Sequence, residues 1–147
     1  LAALQQHKGD QIMEWMIMPL KRFAEFSGRS RRKEYWMFVL LQMLILIPVA
    51  ILAILMGGPV EDPANPLGST AILIVLGVYF LVFFIPGLAV QVRRFHDQDK
   101  SGWFILLGFI PYVGSLILLV FMCLEGTRGP NRFGQDPKDP YAEDVFA

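Results

Sequence analysis

Apolar and polar residues are segregated along this chain into long blocks. No Asp, Glu, Lys or Arg occurs from Tyr35 to Val60, from Pro63 to Val92, or from Ser101 to Leu124, runs of 26, 30 and 24 residues. A bilayer core about 30 Å thick needs about 20 apolar residues of α-helix to cross it. All three runs are long enough, and soluble cores rarely offer three such stretches. The pattern predicts an all-α integral membrane protein with three hydrophobic helical segments, at about 34–56, 70–92 and 101–124. The third segment carries Pro111 and Gly114 at its middle. It reads either as one kinked span of about 36 Å or as a re-entrant hairpin turning at Pro111, with arms of about 15 Å. Length favours the single span.

The segment before the first run is amphipathic. From Ile12 to Phe26, the residues Ile12, Trp15, Met16, Phe23 and Phe26 can share one broad face, with Lys21, Arg22 and Glu25 off it. Pro19 is expected to break or kink this helix. A Trp on the apolar face with basic residues beside it suits a helix lying in the membrane interface; a helix packed on the protein's own body fits the pattern equally. Residues 1–12 read as a leader, 13–137 as the membrane domain and 138–147 as a flexible tail. No cleavable signal peptide is evident.

Charge then orients the spans. Six basic residues and one acid fall between Lys21 and Lys33, directly before the first span. Lys and Arg near a span mark the cytoplasmic side, which places the N-terminus in the cytoplasm. Ser30 is expected to cap the first span. The loop from Gly57 to Ser69 carries only Glu61 and Asp62 and reads as external, whereas the short charged loop from Arg93 to Lys100 reads as internal. Overall composition adds little. Charged residues make up 18%, below the globular norm of about 25%. Net charge is zero, so no bulk field points to nucleic acid. The single cysteine, Cys123, cannot form an internal disulfide.

Three blocks stand apart from the apolar runs: Phe26-Ser27-Gly28-Arg29-Ser30-Arg31-Arg32-Lys33-Glu34-Tyr35-Trp36; Arg93-Arg94-Phe95-His96-Asp97 with Lys100-Ser101-Gly102-Trp103; and Gly126 to Gly134, containing Asn131-Arg132-Phe133-Gly134. With Ile110-Pro111 and Gly114, they closely resemble the bacterial inner-membrane family called "domain of unknown function 805", over about Glu14 to Pro137. The resemblance implies a small multi-span inner-membrane protein with no assigned activity.

The blocks also define the candidate chemistry. A His beside an Asp and two Arg could hold and cleave a phosphate ester. However, metal-dependent His-Asp hydrolysis needs several such ligands, and only His7 and His96 are present. No nucleophile elbow, zinc-protease helix or phosphate loop occurs. The favoured reading has Arg93 and Arg94 anchoring the helix end at lipid phosphates, with Asp97 and Asp99 pairing locally. The candidate ligand residues, for an anionic headgroup, are Arg29, Arg31, Arg32, Arg93, Arg94, His96, Asp97, Asn131 and Arg132. Glu34 is a candidate partner for Arg93 or Arg94. No catalytic residue, metal or cofactor is expected. Expected partners are the bilayer, anionic lipids and either a second copy or another membrane protein. With no ionisable residue inside a span, an ion-coupled transporter is disfavoured.

Overall fold

The computed structural model describes residues 2–57 and 66–138. The first helix, α1 (Ala2–Lys21), is followed by α2 (Arg32–Gly57) and α3 (Pro66–Asp97), then a 3₁₀ helix (Gly102–Phe109) and α4 (Gly114–Cys123). The expected loop between the first two apolar runs lies mostly outside the described residues. Its last positions, from Pro66, already belong to α3.

Within α2 and α3, the stretches Arg32–Leu52 and Leu73–Asp97 are long and apolar enough to cross a membrane. Only 6% and 17% of their apolar windows are buried inside the protein. A core helix of a soluble protein would be mostly covered; here Leu44, Ile47, Leu55, Leu73, Ile74 and Leu81 face outward. Pro48 and Pro86 lie inside these helices without ending them, as membrane helices tolerate.

α1 packs across the bases of α2 and α3 through Met18 and Pro19, both buried. The helix continues through Pro19 and stops at Lys21, so the expected break is absent and Phe23 and Phe26 lie beyond it, exposed. α3 also runs further than expected. Arg93 to Asp97 form its last turn, and the expected charged loop shrinks to Gln98–Lys100, where Asp99 takes a φ of 56°.

The third apolar run is not one kinked span. Pro111 cannot donate a helical hydrogen bond, Tyr112 sits at a φ of 64°, and Val113 N–H closes a three-residue turn on the Pro111 carbonyl at 2.7 Å. The chain doubles back, and the 3₁₀ helix and α4 pack against each other. Gly114 permits this, because a Cβ there would collide with the Leu107 carbonyl. Each arm is roughly 15 Å long. Phe95 of α3 holds the hairpin: its ring lies 5.9 Å from Phe104 and 5.6 Å from Phe121. Among the described residues the apolar core is small, comprising Met18, Phe38, Ala89, Val90, Phe95 and Met122.

Candidate functional site

The last turn of α3 sends successive side chains in different directions, about 100° apart. Arg93 points to α2, where its Nη2 donates to Glu34 Oε1 at 3.0 Å. The pairing expected of Glu34 is therefore made, with Arg93. Ser30 does not cap α2. Its hydroxyl instead donates to Glu34 Oε2 at 2.7 Å, and its backbone N–H reaches the Arg93 carbonyl at 3.2 Å. The reason is local: the Arg31 carbonyl already accepts the first helical bond, from Tyr35 N–H.

Arg94 and Asp97, one turn apart, meet at 2.5 Å. Arg94 also donates to the Leu124 carbonyl at the end of the hairpin. Asp97 takes a second guanidinium from Arg29, whose Nε lies 3.0 Å from Oδ1. Arg29 then reaches into the segment after the hairpin, donating to the carbonyls of Gly129 at 2.7 Å and Thr127 at 2.5 Å. That segment bonds back: Thr127 N–H donates to the Asp97 carbonyl at 2.8 Å, and Asn131 Nδ2 to the His96 carbonyl at 2.9 Å. Gly126 lies directly against the Asp97 carboxylate, where a Cβ would collide with it.

His96 is held on two sides. Its Nδ1 faces the Gly28 carbonyl at 3.2 Å, so that nitrogen carries the proton, and its ring stacks on Phe133 with centroids 3.9 Å apart and planes 4° off parallel.

The charges of this cluster close on themselves. Arg29, Arg93 and Arg94 are buried to within 2% side-chain exposure. They face Glu34 and Asp97, also buried, and Asp136, 4.0 Å from Arg29. Three cations thus meet three carboxylates. Buried charges are tolerated when paired in this way. Burial raises the Asp136 pKa, but N–H bonds from Lys138 and Gly129, with Arg29 nearby, outweigh it and hold the carboxyl below its ordinary value.

The sequence-predicted residues divide into two sets. Arg29, Arg93, Arg94, His96, Asp97 and Asn131 converge in the cluster. Arg93 and Arg94 are enclosed by protein rather than directed at lipid phosphates: both are fully buried, and Glu34, Asp97 and the Leu124 carbonyl accept from Arg93 Nη2 and from Arg94 Nη1 and Nη2, whereas Arg93 Nε and Nη1 and Arg94 Nε are buried without a partner among the described residues. The remainder lie outside. Arg32 bonds the Cys123 carbonyl and Glu125, both at 3.1 Å. Arg132 pairs with Asp99 at 3.1 Å in the open. Arg31 sits 5.6 Å and Lys33 5.2 Å over the Trp15 ring. Sequence reasoning missed Gln98, which bonds the Phe121 carbonyl at 2.6 Å, and Thr127 and Asp136. Thr127 lay within a block already singled out; nothing in the pattern marked Asp136. Among the described residues, no group of three or more His, Cys, Asp or Glu is placed to hold a metal ion.

Residues 23–135 match the family model described as "Protein of unknown function (DUF805)". Two Escherichia coli (strain K12) proteins, inner membrane protein YhaI and inner membrane protein YhaH, are each 43% identical over 126 residues. These alignments cover 86% of this chain and 97% and 98% of the relatives. Uncharacterized protein YiiR of the same strain is 26% identical over 157 residues, covering 87% of this chain and 91% of its own. No solved structure matches.

Proposed function

Since the chain belongs to the DUF805 family of proteins of unknown function, we propose that it is a multi-pass protein of the bacterial inner membrane, a non-catalytic component that contacts anionic lipid headgroups from the cytoplasmic face. α2 and α3 cross the bilayer, the hairpin enters and leaves from the cytoplasmic side, and the N-terminus and the segment after Leu124 share that side. Support comes from the names of the relatives, from the two long outward-facing apolar helices, and from hairpin arms that reach only half of a bilayer about 30 Å thick.

The observation that carries the non-catalytic reading is the burial of the charged cluster. The guanidinium groups that would grip a phosphate ester lie inside the protein and bond Glu34, Asp97 and backbone carbonyls, and the donors of Arg93 and Arg94 left without a partner are themselves buried. The His96 ring is fixed between the Gly28 carbonyl and Phe133. Headgroup contact then falls to the cations around Trp15, Arg31 and Lys33, where indole and cations together suit the membrane interface.

The test is native mass spectrometry of the protein extracted in mild detergent. Anionic phospholipid is expected to co-purify in preference to zwitterionic lipid, and the double change Arg31→Gln with Lys33→Gln should lower its retention several-fold. Equal retention of both lipid classes by the parent protein would count against the reading. For topology, a single cysteine at the exposed Arg128, with Cys123→Ala, should react with an impermeant thiol reagent only after lysis. Reaction in intact cells places that segment outside and removes the hairpin reading.

A further inference from the structure

The hairpin tip is poorly suited to lipid. Tyr112 is 98% exposed, holds a positive φ, and neither its amide nor its hydroxyl has a partner among the described residues. At membrane depth, irregular backbone and unpaired polar groups are tolerated only against protein or water, because hydrocarbon offers them no hydrogen bond. Phe109, 84% exposed beside the turn, gives the tip an apolar flank.

A complementary site lies on the same chain. Between α2 and α3 runs a groove of about 320 Å³, lined by Tyr35, Phe38, Gln42, Tyr79, Phe83 and Gly87 among others. Cavities of about 150 Å³ already take a benzene ring. Gln42 Oε1 accepts from the Tyr79 hydroxyl at 2.9 Å, which leaves the Gln42 amide donors without a partner among the described residues.

The two features sit at one depth. Arg32 and Cys123 are bonded to each other and mark a common level. Gln42 lies ten residues along α2 from Arg32, about 15 Å. Tyr112 lies eleven residues back from Cys123, about 16 Å. We propose that two copies of the chain associate in the bilayer by exchanging hairpin tips, Tyr112 of each seating in the α2/α3 groove of the other, with its hydroxyl accepting from the partner's Gln42. Tip and groove belong to the same sequence, so a two-fold axis makes the contact twice, in the closed symmetry of most dimers. The proposal rests on the topology given above.

Cross-linking tests it in native membranes. Two differently tagged copies, both Cys123→Ala, are co-expressed, one with Tyr112→Cys and the other with Gln42→Cys, then treated with a membrane-permeant bis-maleimide long enough to span a tyrosine-to-glutamine contact. A cross-link joining the two tags is expected; direct oxidation would not serve, because a disulfide needs closer Cα atoms than this contact leaves. Val39→Cys lines the same groove, leaves the Gln42–Tyr79 bond in place and carries the same expectation, should loss of that bond reduce the yield of the first variant. Trp103→Cys, at the other end of the hairpin, should give none. Cross-links only between two Tyr112→Cys chains overturn the exchange, as does their complete absence while Tyr112→Cys stays shielded from impermeant reagent on both sides; the topology then still stands. Labelling of Tyr112→Cys from outside in intact cells overturns the topology and the exchange together.

Discussion

Arg29 and Asp97, 68 positions apart in the chain, are joined by a buried bond of 3.0 Å. Neither belongs to the apolar face of any helix. The bond fixes the segment before α2 to the end of α3, and Arg29 extends the link to the carbonyls of Thr127 and Gly129. This end of the protein is therefore held by charge and hydrogen bonds more than by its few buried apolar side chains.

Removing one member of this cluster should cost more than an ordinary surface change. Asp97→Ala leaves Arg29 and Arg94 facing each other in a buried site, and breaking a buried pair costs about 3–5 kcal/mol. The apparent unfolding temperature of the detergent-solubilised protein should fall by roughly 10 °C. Arg132→Ala, which removes an exposed pair with Asp99, should shift it by no more than about 2 °C, since such pairs contribute about 0–1 kcal/mol.

Glu34 and Arg93 give a cleaner test of pairing. Glu34→Gln and Arg93→Gln should each destabilise the protein, because each strands the opposite charge. The double variant should be more stable than the sum of the two losses predicts. A double-mutant cycle by thermal unfolding checks this; strict additivity would show that the two groups do not depend on each other.

Two glycines, Gly126 of the third block and Gly102 of the second, should respond to different degrees. Gly126→Ala drives a methyl into the Asp97 carboxylate, and overpacking costs about 1–3 kcal/mol. Gly102→Ala meets one Val92 methyl at 2.7 Å, a less severe approach than a Cβ at Gly126 makes to Asp97, so its loss should be smaller. Comparative unfolding of the two variants decides the ranking, and a larger loss for Gly102→Ala would contradict the packing described.

Acid should loosen the segment after the hairpin first. The Asp136 pKa is lowered in the folded protein, so its stabilising effect is fully present above the unfolded value, about 3.9. The effect is lost as pH falls through the lower folded value. Hydrogen exchange of residues 126–134 should accelerate below about pH 4 in the parent. In Asp136→Asn it should already be faster near neutrality, with a weaker acid response.

Part of this arrangement was legible beforehand. The two long apolar helices follow from charge-free runs, because hydrocarbon enforces helix over any apolar stretch of sufficient length. The association of Glu34 with an arginine was visible because both flank spans on the same predicted face. The hairpin was legible only as the less favoured of two readings, because Pro111 and Gly114 are also compatible with a kink. Reversal depends on Tyr112 adopting a positive φ and on Phe95, Phe104 and Phe121 packing together. Asp136 was invisible for a similar reason: its role exists only once the segment after Leu124 folds back on Arg29. Burial of Arg93 and Arg94 ran against the usual anchoring role of such residues, since their acceptors lie far along the chain.

The long reach of Arg29 also sets an order of events during synthesis. Its acceptor at Gly129 is made 100 residues later, about 5–20 s at ordinary elongation rates. Both long helices are complete before the counterpart of Arg29 on the final segment exists. A chain that stops short after Leu124 would keep its apolar helices yet leave this guanidinium without its carbonyl acceptors. The stretch from Thr127 to Gly134 is therefore the last part of the cluster to be made, and it closes on a guanidinium that has waited through the synthesis of both long helices.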